Sequence, residues 1–298
     1  MSIRELRTYE GRPLANQDEP IFDQGLAFDL ETVMARRQLL KLLGIATTSG
    51  SLMALAACLP NSGASSSGSA SSGATSTSAA SGSAATADCD AIPEETAGPY
   101  PGDGSNGPDV LNQSGVVRKD IRSSFGNASG VAAGVPLTIN VTIQDQAKAC
   151  APIAGAAVYA WHCDREGRYS LYNQGVTGEN YLRGVQATDA NGLATFQSIF
   201  PACYSGRWPH IHFEVYPSLE KAASASGMVA TSQIALPKSI CDQVYATDGY
   251  SQSVQNLSQV SLERDNVFGD DGGAHQLGTI SGSIDAGLVV ALAVPVNA

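Results

Sequence analysis

The stretch HIHFEVY, residues 210–216, sets two histidines one residue apart in a run of strand-forming residues. Successive side chains of a strand point to opposite faces. Ile211, Phe213 and Val215 then make one uniformly apolar face, which must lie on a core. His210, His212, Glu214 and Tyr216 make the other. Two imidazoles projecting together from a stiff element can offer two nitrogen ligands to one metal at a fixed separation. A lone His-x-His is also compatible with an exposed polar face, so the surrounding residues have to decide.

The same period of two recurs along the chain. Leu137-Thr138-Ile139-Asn140-Val141-Thr142-Ile143 alternates apolar and polar residues. GAAVYAWHC (155–163), LATFQSI (193–199), QIAL (233–236), GTISGSI (278–284) and GLVVALAV (287–294) read as further short strands. DANG at 189–192 is a turn signal between Val185 and Leu193. Helical periodicity is weak, with one candidate around Ile240–Ala246. The pattern predicts an all-β fold over 89–298, a β-sandwich core of mixed and antiparallel strands with long loops.

The chain has 298 residues and a formal net charge of −11. That balance argues against nucleic-acid binding and against a polybasic mode of membrane attachment. The N-terminus carries an export address. ARRQLLK (35–41) precedes a moderately apolar run, Leu42–Ala57, that is too short and too rich in Gly, Ser and Thr to span a bilayer well. The arrangement resembles a bacterial twin-arginine signal. The run ends in Leu55-Ala56-Ala57-Cys58, which resembles a lipoprotein processing site with lipidation of Cys58. A Sec-type signal or an uncleaved anchor is the competing reading. Residues 1–57 are thus expected to be a signal. Residues 58–88, almost only Ser, Ala, Gly and Thr, cannot bury enough apolar surface to offset their ordering entropy and are expected to be a disordered linker. The expected location is extracytoplasmic, on a membrane only through Cys58. The signal takes six basic and seven acidic residues, leaving 11 and 21, so the remainder keeps a net charge of −10.

Beyond Cys58 the cysteines are Cys89, Cys150, Cys163, Cys203 and Cys241, with no C-x-x-C spacing. Five is odd, so at most two bridges form, and the pairing stays open. Cys163 and Cys203, both close to candidate site residues, are the favoured pair.

The residues upstream of the histidines raise the metal reading. Tyr204 lies six positions before His210 and Arg207 three before it. A phenolate is a hard anionic ligand that suits ferric iron far better than zinc. Tyr169, in DREGRYSLY, is a second candidate phenol, with Tyr172 and Tyr181 as neighbours able to take its place. Two phenolates and two neutral imidazoles give a ligand charge of about −2, which favours Fe(III) over Fe(II). His162 has the opposite parity on its strand and reads as a structural histidine, His275 as an exposed loop residue. GDDGG (269–273) lacks the spaced ligands of a calcium loop.

These segments resemble the intradiol ring-cleavage dioxygenases. The resemblance is carried by ETAGPYP (95–101), GAAVYAWHCDREGRYSLY (155–172), NYLRGVQATDANGLATFQSIFPACY (180–204), GRWPHIHFEVY (206–216) and TSQIALP (231–237). It implies one Fe(3+) per chain, held by Tyr169, Tyr204, His210 and His212. It implies that Tyr204 is displaced when substrate binds and that Arg207 stabilises negative charge. Gln233 and, with less of the motif behind it, Tyr100 would line the substrate pocket. The implied substrates are a small aromatic ortho-diphenol and O2, and the product a cis,cis-muconate-type diacid. Two features depart from the family. The Tyr204–His210 link is shorter than in the cytoplasmic catechol enzymes, and their N-terminal helical dimerisation region has no counterpart, so substrate identity and oligomeric state stay open. The alternatives are a non-catalytic β-sandwich lipoprotein that binds ligands at the surface, and a zinc hydrolase built on His210 and His212, which would need a third nitrogen or carboxylate ligand.

Overall fold

Pro136–Asp145 (β3) buries every second side chain, with Leu137, Ile139, Val141 and Ile143 inward and the residues between them partly exposed. The period-two pattern fixes its register, because a slip of one residue would turn all four to solvent. The computed structural model describes residues 8–9, 12–13 and 89–297. In the N-terminal part, Thr8–Tyr9 (β1) pairs antiparallel with Arg12–Pro13 (β2). The expected twin-arginine segment, the Cys58 anchor and the linker otherwise lie outside the described residues. Among the described residues no helix is long and apolar enough to cross a membrane.

Two sheets build the folded body, as the strand pattern predicts. In the first, β3 pairs with Leu193–Ile199 (β7) antiparallel, and its far end with the short Ala151–Pro152 (β4). On its other side β3 runs parallel to Gly287–Val296 (β11), which forms a hairpin with Thr279–Ser283 (β10). The second sheet is antiparallel throughout, in the order Arg183–Ala187 (β6), Ala157–Trp161 (β5), His210–Tyr216 (β8), Ala230–Ala235 (β9). The DANG turn does not join two strands of one sheet. It carries the chain from β6 in the second sheet to β7 in the first, with Asp189 Oδ1 accepting from the Asn191 and Leu193 amides.

The main core lies where the inner faces meet: Leu137, Ile139, Val141 and Phe196 from one sheet, Val158, Ile211, Phe213 and Val215 from the other. Ile240, Cys241, Val244 and Tyr245 of the helix Lys238–Tyr245 close one side, where the sequence predicts helix. A second helix, Ser251–Leu257, carries no apolar stripe in its sequence and was not foreseen.

The second sheet differs from a half-exposed one in a way that matters for the site. All seven residues of β8 are buried, and so are all of β5 and β9. Its outer face holds Ala157, Tyr159, Trp161 and Tyr216 in a second cluster, covered by loop residues that include Tyr100, Val110, Leu111 and Tyr169. The histidine face of β8 therefore points into a roofed chamber rather than into solvent.

The disulfide joins Cys89 to Cys150, not Cys163 to Cys203. Cys163 and Cys203 are buried thiols, each donating to a backbone carbonyl, Ala202 O at 3.6 Å and Arg207 O at 3.5 Å. They serve as small core residues, and proximity to the site carried no information about bridging. The bond that does form ties the first residues of the folded body to the β3–β4 turn across a sequence separation of 61. Loop-closure entropy for that length contributes about 4 kcal/mol.

Candidate metal centre

Strand β8 presents His210 and His212 on its outer face with their Nε2 atoms 3.0 Å apart. The Trp208 carbonyl lies 2.5 Å from His210 Nδ1. A carbonyl only accepts, so the proton sits on Nδ1 and Nε2 turns a bare lone pair into the chamber. His212 is held differently. Its ring stacks on Trp161 with centroids 4.8 Å apart and planes within 6°. Gly98 covers its edge, and a Cβ there would come to 3.2 Å of His212 Cε1 on a backbone with φ of 72°. That close approach is what requires glycine.

The two phenols come from separate loops, their rings edge-on with centroids 5.9 Å apart. Tyr169 Oη lies 3.4 Å from His210 Nε2 and 3.2 Å from His212 Nε2. Tyr204 Oη lies 3.2 Å from His210 Nε2. Tyr169 is fully buried, its amide fixed by Asn173 Oδ1 at 2.7 Å. Tyr204 is only half-buried. The unforeseen helix Ser251–Leu257 serves this side: Ser253 Oγ accepts from the Cys203 amide and Asn256 Nδ2 donates to the Cys203 carbonyl, fixing the backbone next to Tyr204. Tyr172 and Tyr181 are occupied elsewhere. Tyr172 Oη binds Asn106 and the Gly102 amide, and Tyr181 Oη donates to Asp164.

The residues present fit a metal. Bonds of about 2.1 Å opening at about 90–110° subtend donor-to-donor edges of about 3.0–3.4 Å, the spacings found in this N2O2 set. One cation among the donors gives every inward lone pair, His210 Nε2 and His212 Nε2 included, a partner. Among the described residues no group of three His, Cys, Asp or Glu could hold a metal. Oxygen ligands must then come from tyrosine, which weighs against the zinc reading. Glu214, next on the same face, accepts from Tyr216 Oη at 2.6 Å, and burial pushes its pKa up to about 8.

Electrostatics agree. Burial, with Arg207 adding to it, pushes His210 down to about 3. Burial and the neighbouring His210 hold His212 well below its usual value. Both are neutral near pH 7, the form that ligates. Burial raises Tyr169 well above the ordinary phenol value, helped by Tyr204, and raises Tyr204 to about 12 against the pull of Arg207. Without a metal both phenols are protonated. A bound cation reverses that order.

Arg207 lies beside the donors. Burial acts to lower its pKa, but Asp265 with Tyr204 and Tyr169 together outweigh it and keep it charged. Its Nη2 donates to Gln233 Oε1 at 2.8 Å, and Gln233, directly opposite His212 in the β8–β9 ladder, is fixed by donating to Thr96 O. Tyr100 packs its ring 4.8 Å from that of Tyr169. All the residues singled out in the sequence therefore converge, except Cys58, which lies outside the described residues. His162 is satisfied between the Cys163 carbonyl and Ser198 Oγ, as its parity suggests.

Two site-supporting residues escaped the sequence. Asp265 makes the ion pair with Arg207. Arg183 is almost fully buried and spends its five N–H groups on Pro101 O, Tyr159 Oη, Tyr100 O, Ser170 O and Ser170 Oγ. It thereby joins the segment carrying Tyr100 to the segment carrying Tyr169.

Residues 106–221 match the family model described as Dioxygenase. Among solved structures, the chain is similar to an intradiol ring-cleavage dioxygenase from Tetranychus urticae, at 25% identity and a TM-score of 0.53, over 70% of this chain and 95% of that one. It is more distantly similar to 3-chlorocatechol 1,2-dioxygenase from Rhodococcus opacus 1CP, at 17% identity and a TM-score of 0.42, over 64% and 69% of the two chains. A similar distance separates it from catechol 1,2-dioxygenase of Pseudomonas arvilla C-1, at 20% identity and a TM-score of 0.38, over 61% and 58%. A search of curated proteins returns no match. Fold and family model together place the chain beside β-sandwich dioxygenases. Residues 106–221 are similar to a dioxygenase family, and the chain shares its fold with an intradiol ring-cleavage dioxygenase.

Proposed function

We propose that the chain is a non-haem ferric dioxygenase that cleaves a catechol-type ring between its two hydroxyl-bearing carbons. The reaction joins one ortho-diphenol and one O2, breaks that carbon–carbon bond, and places both oxygen atoms in a cis,cis-muconate-type diacid. The observation that carries it is the convergence of Tyr169, Tyr204, His210 and His212 beside a charged Arg207. Those four residues would hold iron, which when bound draws electron density from a catecholate and opens the ring to O2.

The chain's own residues supply the rest. Tyr204, the more exposed phenol, is the ligand positioned to give way to substrate, and its Oη is then free to take a substrate hydroxyl proton, so no separate histidine base is required. Buried Tyr169 and the two histidines keep their places. Arg207 brings fixed positive charge to the side where anion develops, in a chamber of low dielectric where such charge counts most. Tyr100 offers an aromatic wall, and Gln233 ties Arg207 to the strand bearing the ligands.

Oxygen uptake with catechol, protocatechuate and hydroxyquinol, with product identification, tests this. Stoichiometric uptake giving a ring-opened diacid is the expected result. A colourless protein carrying zinc and no iron, inert to all of them, rejects it.

Export and anchoring belong to the same proposal, supported by Arg36-Arg37 and the Leu55–Cys58 box. Cys58→Ala is expected to move the protein from the membrane to the soluble fraction. Unchanged membrane association rejects the anchor.

A further inference from the structure

We propose that Asp265 is a positioning residue that decides which edge of the Arg207 guanidinium is left for the substrate. The proposal rests on the role given to Arg207 above. The pair is buried, the Asp265 side chain completely. Arg207 Nε donates to Asp265 Oδ2 at 3.0 Å and Nη2 to Asp265 Oδ1 at 3.3 Å. The second Nη2 proton goes to Gln233 Oε1 at 2.8 Å. A guanidinium has five N–H groups in a rigid plane. Two of these face Asp265 on the Nε/Nη2 edge and a third goes to Gln233, and Nη1 makes no hydrogen bond among the described residues. Its two N–H groups are the ones available to an anion in the chamber.

Asp265 is itself anchored from two sides. Oδ2 also accepts from the Trp208 amide at 2.7 Å, and Oδ1 from the Val267 amide at 2.9 Å and the Phe268 amide at 3.3 Å. One carboxylate therefore binds the backbone leading into β8 and the guanidinium one residue earlier. The Arg207 plane can pivot only if this anchor is lost. A surface ion pair would not restrain it so, because exposed pairs contribute little and exchange with water. Here the bidentate geometry and the burial act together.

Asp265→Asn keeps the shape but turns one of the two acceptor oxygens into a donor, so Arg207 loses one of its two bonds and either the Trp208 amide or the Val267 and Phe268 amides lose their acceptor with it. Its kcat on the best catechol is expected to fall about 10- to 100-fold, the usual cost of removing a partner that orients a functional group. KM and iron content should stay within about twofold of wild type, because no ligand is touched. In an Arg207→Gln background the further change to Asn should cost nothing, since a residue acting through Arg207 has nothing left to orient. A crystal structure of D265N, with or without iron, is expected to show the guanidinium turned from its present edge. Full kcat in D265N, an equal loss in both backgrounds, or an unturned guanidinium overturns the proposal, and the last of these holds whatever the metal proves to be. Should D265N fail to fold, Arg207→Lys decides: it keeps the charge without the planar edge, so it should lose about as much as Arg207→Gln, and near-wild-type activity would show that charge alone suffices. A wild type without iron or activity rejects the assigned function instead.

Discussion

Phenylalanine at position 169 is expected to leave a folded, colourless protein with almost no iron and no ring-cleaving activity. Tyr169 Oη is the donor within 3.4 Å of both histidines, so its removal opens the N2O2 set at its centre. Losing an outer partner of a ligand costs about 10- to 100-fold in metal affinity, and losing the ligand itself should cost more. The ring can keep its contacts with Tyr100 and Tyr204, so the fold should be spared. Metal analysis and the visible spectrum of the purified variant read this directly. Retention of both iron and colour would mean that the first phenolate comes from elsewhere. Tyr172 and Tyr181 are poor candidates, their hydroxyls being committed to Asn106 and Asp164.

Arg183→Met should have the largest effect on stability. Methionine fills much of the space but takes away the donors that Arg183 gave to the Tyr100 and Ser170 carbonyls, while Pro101 O keeps its bond from Tyr159 Oη and Ser170 Oγ its bond to Tyr181 O. Each carbonyl deprived of its donor costs about 1–3 kcal/mol, so the two together cost about 2–6 kcal/mol. That is a large part of the stability of an ordinary domain. Arg183→Lys should rescue little, because a point ammonium with three donors cannot span acceptors laid out for a planar fork. Urea unfolding with an unchanged slope measures the loss. A midpoint within about 1 kcal/mol of wild type would show that the loops carrying Tyr100 and Tyr169 are held by packing alone.

The two residues show where the sequence stops being informative. Strand β8 could be read completely: HIHFEVY alternates, and the structure gives it those bounds and those two faces. Tyr204 and Arg207 lie within a few residues of it, and adjacency along the chain kept them near. Arg183 looks in the sequence like any solvent-facing arginine, since a fully buried arginine is rare. Only the folded loops reveal that its five donors face five acceptors. Asp265 is 58 residues from Arg207, in a segment with no periodicity to place it. The burial of both faces of the second sheet was hidden for a related reason. Polar residues on a strand ordinarily signal solvent, whereas here the loops before β3 and after β5 form a roof. The disulfide was illegible because cysteines carry no pattern of their own.

The placement of β11 has a consequence for how the domain is made. This strand, the last in the sequence, does not lie at the margin of its sheet but between β10 and β3, paired in parallel with β3 from Leu288 opposite Leu137 to Val296 opposite Asp145. The first long strand of the sandwich thus waits for a partner about 150 residues later in translation. Until the ribosome has released that partner, one side of β3 presents an open row of amides and carbonyls, the kind of edge along which chains associate wrongly. The Ile92 amide, which donates to the Pro295 carbonyl, has to wait as well. The sandwich is therefore closed late, by a strand far along the chain from the one it pairs with.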